Sequence, residues 1–140
     1  ILPTHKDETD SEKGVYYALE QGYRHIILYG GLGGRMDHTL ANLYLIMHRD
    51  IPLTLMDAHH CIRKLKKGIY QIPKRIRYLS FLALEPTIIT EKGVAYPLYK
   101  RSITAMDIYP ISNEITEDYA TITIHEGSVL MMECEDEHPL

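Results

Sequence analysis

A turn containing four glycines, Gly30-Gly31-Leu32-Gly33-Gly34-Arg35-Met36-Asp37-His38, constrains this chain more than any other stretch. Before it, Arg24-His25-Ile26-Ile27-Leu28-Tyr29 is a short, β-branched apolar run that reads as a buried strand. After it, Leu40, Leu43, Tyr44 and Met47 stand at i, i+3, i+4 and i+7, the spacing of an amphipathic helix over residues 38–49. Open α/β sheets place ligands at such strand-to-helix turns, beyond the carboxyl ends of their strands. Glycine lets backbone approach a ligand closely, and N–H groups of the loop and helix N-terminus attract an anion. Arg35 adds a planar fork suited to phosphate oxygens. Asp37 conflicts with phosphate, because a bare carboxylate repels it; a divalent cation between the two resolves the conflict. The alternative is a tight glycine turn with Asp37 as the helix N-cap and Arg35 on the surface. The loop is neither a P-loop nor a dinucleotide fingerprint, since no Lys-Ser/Thr follows and position 36 is Met.

The remaining composition narrows the class. At 140 residues and 45% apolar content the chain can bury a core as one domain or two small ones. A net charge of −4 argues against a nucleic-acid groove. No apolar run approaches the roughly 18 residues of a membrane span, and Ile1-Leu2-Pro3 leads into charged residues, not a signal-peptide core. Cys61 and Cys134 match no zinc or redox spacing and read as reduced thiols of a cytoplasmic protein.

Ahead of the turn, Lys6-Asp7-Glu8-Thr9-Asp10-Ser11-Glu12 contains a Thr9-x-x-Glu12 capping box. Val15, Ala18 and Leu19 give the following helix a buried face, and Gly22 suits its end. Asp10 fits a first helical turn through the macrodipole; beside the glycine loop, Asp7 and Asp10 also read as a second acidic contribution to one metal–phosphate site. Helix, strand, loop, helix and a strand at Leu53-Thr54-Leu55-Met56 form a βαβ pattern lacking its first strand, hence a partial parallel, Rossmann-like α/β layer over residues 1–58. His59-His60 falls on a strand, where neighbours point to opposite faces, which argues against a metal pair. Residues 59–140 read as an antiparallel β-sandwich or barrel, with strand-like runs at 61–72, 78–84, 87–90, 94–98, 102–108, 119–125 and 128–133. Glu126-Gly127 signals a hairpin turn. Arg63, Lys64, Lys66, Lys67, Lys74, Arg75 and Arg77 read as solvated strand faces, and Glu133-Cys134-Glu135-Asp136-Glu137 as a frayed end. Ile111-Ser112-Asn113-Glu114 carries either plain turn chemistry or adaptable groups that read a heterocycle's edge.

Taken together, Lys6–Glu12, Gly30–His38 with Leu40-Ala41-Asn42-Leu43, Gly93-Val94-Ala95-Tyr96-Pro97-Leu98 and Ile111–Glu114 resemble thiamine pyrophosphokinases of the bacterial type, in order and approximate spacing. The resemblance implies an ATP-binding α/β domain followed by a thiamine-binding, dimerising β-sandwich. It implies transfer of pyrophosphate from ATP to the thiamine hydroxyl, giving thiamine diphosphate and AMP. Also implied is a homodimer with the thiamine pocket at the subunit interface and no nucleic-acid or membrane partner. Carried across residue by residue, Asp10 and Asp37 are the catalytic, Mg2+-holding carboxylates. Lys6, Asp7, Thr9, Gly30, Gly31, Gly33, Gly34, Arg35 and His38 contact ATP, and Ser112 and Asn113 meet the thiamine ring. The family's earlier Gly-Asp-x-Asp-Ser type motif has no counterpart here, so the expectation is a chain lacking its N-terminal third and inactive as this piece alone. A non-catalytic nucleotide or thiamine-diphosphate binder on the same fold is the alternative.

Overall fold

The apolar run before the glycine turn forms strand β1 (Ile26–Tyr29), and Leu53–Met56 forms β2. They pair in parallel, from Ile26 opposite Leu53 to Tyr29 opposite Met56. The structure, a computed structural model, describes residues 10–107 and 110–136. It divides into two compact units, Ile1–Asp57 and Ala58–Leu140. In the first, helix α1 (Asp10–Glu20) buries Val15 and closes as expected at Gly22. There the Tyr23 N–H reaches the Ala18 carbonyl at 3.3 Å and the Gly22 N–H reaches Leu19 at 3.0 Å, capping carbonyls the helix leaves unpaired.

Helix α2 (Met36–His48) forms where expected but is rotated from the expected stripe. Asn42, Leu45 and Ile46 are its buried residues, whereas Leu40 and Tyr44 are 57% and 55% exposed. Leu43-Tyr44-Leu45-Ile46-Met47 is apolar without interruption, so periodicity alone could not choose the inward face. The Asn42 amide, which bonds the Gly31 carbonyl at 2.8 Å, belongs to that face. Ile27 and Tyr29 on β1 are likewise exposed. Among the described residues, no helix is long and apolar enough to cross a membrane.

The second unit is built on β3 (His60–Pro73), β4 (Tyr78–Ala83), β5 (Thr87–Lys92), β6 (Leu98–Ile103), β7 (Asn113–Glu114) and β8 (Tyr119–Cys134). Three sequence expectations are corrected. The run at 94–98 is not a strand of its own: Val94 makes an isolated bridge to Ile115, and Leu98 already opens β6. The run at 102–108 stops at Ile103, where Thr104 and Asp107 close a turn: the Thr104 N–H donates to Asp107 Oδ2 at 2.7 Å and the Asp107 N–H to the Thr104 carbonyl at 3.0 Å. Glu126-Gly127 makes no hairpin, because residues 119–134 are one strand.

Strand β8 pairs with β3 from Tyr119 opposite Pro73 to Cys134 opposite His60. On its other edge its first half meets β5 and its second half meets β4. The change of partner coincides with a bulge: Lys66 opposes Ser128, yet Gly68 opposes Ile124. Gly127 sits there at φ +91°, and an added Cβ would run into Thr87 Oγ1 and the Pro86 carbonyl. The bend folds the ladder over one core, with Leu65, Phe81, Val129 and Met131 from one half against Ile72, Ile89, Ile103, Ile122 and Ile124 from the other. This is the antiparallel sandwich in substance, made by one strand serving both layers.

Two charged groups are built into this unit. Glu133, read as part of a frayed end, is buried on β8 and takes a bidentate ion pair from Arg75, with Nε–Oε1 at 3.1 Å and Nη2–Oε2 at 2.8 Å. Arg75 is half exposed, as a solvated position would be, but it lies between β3 and β4 and spends its guanidinium on Glu133. Its hydrogen bond to Glu133 raises its own pKa, while burial, aided by the Glu133 charge, pushes the nearby Cys61 thiol up. Glu91 on β5 is fully buried; Oε1 accepts a 3.2 Å bond from Asn113, and Oε2 has no partner among the described residues. Burial pushes its pKa up to about 7.

Two outcomes follow for equilibrium denaturation of the full-length protein. Arg75→Met strands a buried carboxylate and should cost about 2–3 kcal/mol, discounted because Arg75 itself is half in water; an unchanged midpoint would refute this. Glu91 binds its proton more tightly folded than unfolded. Its contribution is therefore complete below the unfolded value of 4.5 and is lost as pH rises through about 7. Glu91→Gln should remove that decline, gaining on the native protein by on the order of 2–3 kcal/mol between acidic pH and about pH 8. Parallel stability curves for the two proteins would show that Glu91 does not titrate in this way.

Candidate active site

The glycine turn begins by prolonging the parallel ladder, with the Gly30 N–H bonded to the Met56 carbonyl at 3.0 Å. Gly33 and Gly34 then take φ of +84° and +66°, which side chains resist. Gly31 packs so closely that a Cβ would lie 3.0 Å from both Asn42 Nδ2 and Leu28 Cδ2. Arg35, not Asp37, occupies the α2 N-cap position, with φ −69° and ψ 128°, and supplies no side-chain cap. Asp37 lies within the first turn, where a negative charge is favoured by the macrodipole. One carboxylate oxygen pairs with Arg35 Nη2 at 2.6 Å, and the other accepts the His38 N–H at 2.9 Å. The Arg35 hydrogen bond, with its charge, holds the Asp37 carboxyl below the usual carboxylate range. Arg35 leaves the helix start without a side-chain cap, and of its first N–H groups that of His38 is taken by Asp37.

The structure thus brings Gly30, Gly31, Gly33, Gly34, Arg35, Asp37 and His38 into one turn. Lys6, Asp7, Thr9 and the side chain of Asp10 lie outside the described residues; Asp10 is the first residue of α1. Among the described residues no group of three or more His, Cys, Asp or Glu side chains forms a metal centre. Asp37 is a hard oxygen donor of the kind Mg2+ takes, but one carboxylate does not make a complete set.

At the second motif, Ser112 takes φ +64°, its side chain exposed and its N–H donating to Ser80 Oγ at 2.8 Å. Asn113 is buried and fully used. Its Oδ1 accepts the N–H groups of Tyr96 and Glu114, each at 3.0 Å. Its Nδ2 donates to the Tyr96 carbonyl at 2.9 Å and to Glu91 at 3.2 Å. An amide offers two donors and two acceptor sites, so none is left for a ring. Asn113 instead ties Ile111–Glu114 to Gly93–Leu98, and Ser112 is the member of the pair that faces outward.

Sequence reading missed Asn42, Thr39 and Glu91. A signal existed for Asn42, an amide at i with respect to Leu45 and Ile46, where an apolar residue was due. Thr39 Oγ1 donates to the Gly33 carbonyl at 3.1 Å, a contact across the turn that no local pattern announces.

Comparison with known proteins bears on all of this. Residues 2–55 match the catalytic domain of thiamin pyrophosphokinase, and residues 68–129 match its vitamin B1 binding domain. The thiamine pyrophosphokinase of Bacillus subtilis is 32% identical over 143 residues, spanning 97% of this chain and 67% of its own length. Its crystal structure superposes with a TM-score of 0.85, covering 94% of this chain and 65% of that one. The thiamin pyrophosphokinase of Geobacillus thermodenitrificans gives 0.84 at 31% identity, covering 99% and 66%. This chain therefore spans about two thirds of the length of these relatives. On sequence and fold alike, it belongs to the thiamine pyrophosphokinase family.

Proposed function

We propose that the protein is a thiamine diphosphokinase, moving pyrophosphate from ATP to the hydroxyl of thiamine and releasing AMP. The observation that carries this reading is the Gly30–His38 turn, where close-approach backbone, a helix N-terminus, an arginine and an ionised aspartate meet in a chain of this family. Residues 1–58 serve as the ATP-binding part, with Lys6, Asp7, Thr9, the turn glycines, Arg35 and His38 on the nucleotide. Residues 59–140 serve as the thiamine-binding and dimerising part. Ser112 meets the thiamine ring, and Asn113 acts behind it by holding the backbone of Tyr96.

Transfer of this kind needs in-line placement and charge neutralisation more than covalent help. The turn's N–H groups and Arg35 bind phosphate oxygens. Because the Arg35–Asp37 pair is exposed on both sides, Arg35 can change partner at little cost. Asp37, held ionised by Arg35, is a poor proton acceptor and a good cation ligand. Asp10 and Asp37 are the carboxylates that would hold Mg2+, which when bound offsets the charge of the phosphates. One of these two carboxylates also accepts the thiamine hydroxyl proton. A homodimer in the cytoplasm completes the reading.

With ATP, magnesium and thiamine, the full-length protein should form AMP and thiamine diphosphate in equal amounts, and EDTA should stop it. Ligand binding without AMP would replace the transferase by a binding protein on the same fold. Asp37→Asn should lower kcat by about 100-fold or more with the circular dichroism spectrum retained. Near-normal turnover would remove Asp37 from the site.

A further inference from the structure

Two side chains of α2 reach back to the backbone of the glycine turn. Asn42 Nδ2 donates to the Gly31 carbonyl at 2.8 Å, and Thr39 Oγ1 donates to the Gly33 carbonyl at 3.1 Å. The Thr39 hydroxyl lies farther, 3.4 Å, from the Arg35 carbonyl one turn back in its own helix, so the contact across the turn is the better one. Neither residue is a natural choice for its place. Asparagine is a mediocre helix former, and a buried amide is costly unless bonded. Asn42 is nevertheless buried beside Leu45 and Ile46.

Peptide planarity makes these contacts directional. In a trans peptide the N–H points opposite to the C=O. Drawing the Gly31 and Gly33 carbonyls toward α2 therefore turns the Leu32 and Gly34 N–H groups away from the helix side chains that grip them. With glycine at 30, 31, 33 and 34, an ungripped loop would sample many conformations, and ordering it would weaken any ligand bound there.

We propose that Thr39 and Asn42 are positioning residues of the nucleotide site, which hold two carbonyls of the turn so that the Leu32 and Gly34 amides face the phosphates. The inference rests on the nucleotide reading above. Thr39→Val keeps side-chain shape and removes the donor; Thr39→Ser keeps the donor; Asn42→Leu removes the second grip.

The experiment measures ATP affinity by calorimetry in magnesium buffer, together with kcat and both KM values, on the full-length protein and these variants. Thr39→Val and Asn42→Leu should lose about tenfold or more in ATP affinity and in kcat/KM for ATP. The KM for thiamine should stay put, and Thr39→Ser should behave as the native protein. Asn42→Leu risks misfolding, so Thr39→Val, with its thermal midpoint checked, is the deciding variant. Unchanged ATP affinity in a folded Thr39→Val protein overturns the proposal, as does an equal loss for ATP and thiamine. If the native protein binds no ATP, the nucleotide reading itself fails and this inference falls with it, a result distinct from the previous two.

Discussion

The β-rich unit depends on one demand, that a single strand satisfy three neighbours. Strand β8 bonds β3 on one edge throughout and divides its other edge between β5 and β4. A straight strand would carry both partners in one plane and leave each layer's apolar face in water. The bulge at Gly127 turns the ladder so that the halves close on each other and enclose Phe81, Ile89, Ile122 and Met131. It sets β5, with Glu91, beside β8, and β5 carries the segment that Asn113 holds.

The two halves of the chain fix loop backbone by the same device. In each, an asparagine amide is buried and spent on main-chain groups: Asn42 on Gly31, Asn113 on Tyr96. The charged members stay at the surface, as Arg35 and Asp37 do. This division has a physical logic. A buried amide can be satisfied by fixed backbone partners, whereas a charge meant for a ligand must not be desolvated before the ligand arrives. Glu91 is the exception, a buried carboxyl beside Asn113 with one oxygen unbonded among the described residues.

Much of this was legible in the sequence, and the reasons differ by element. The glycine turn was, because glycine density between a β-branched run and an apolar helix has few other meanings. The parallel pairing of β1 and β2 followed from the helix between them. Which face of α2 turns inward was not legible, since an unbroken apolar run offers periodicity no contrast. Glu126-Gly127 misled because the same dipeptide serves a hairpin or a bulge, and only the position of β5 decides between them. The role of Glu133 was hidden for another reason: its partner Arg75 is 58 positions away along the chain. The Asn113 contacts were equally non-local, although both motifs they join had been recognised separately.

The pairing of β3 with β8 has a consequence for how the chain is made. About 60 residues separate the two, and at roughly 5–20 residues per second a ribosome needs several seconds to supply the second after the first. During that interval β3 has Ile62, Leu65 and Ile72 for a future core while the long edge it gives to β8 stays unpaired. An apolar strand waiting with an open edge invites pairing with another nascent chain. Arg63, Lys64, Lys66 and Lys67 lie on that same strand. Like-charge repulsion between copies of this segment opposes such pairing until β8 emerges.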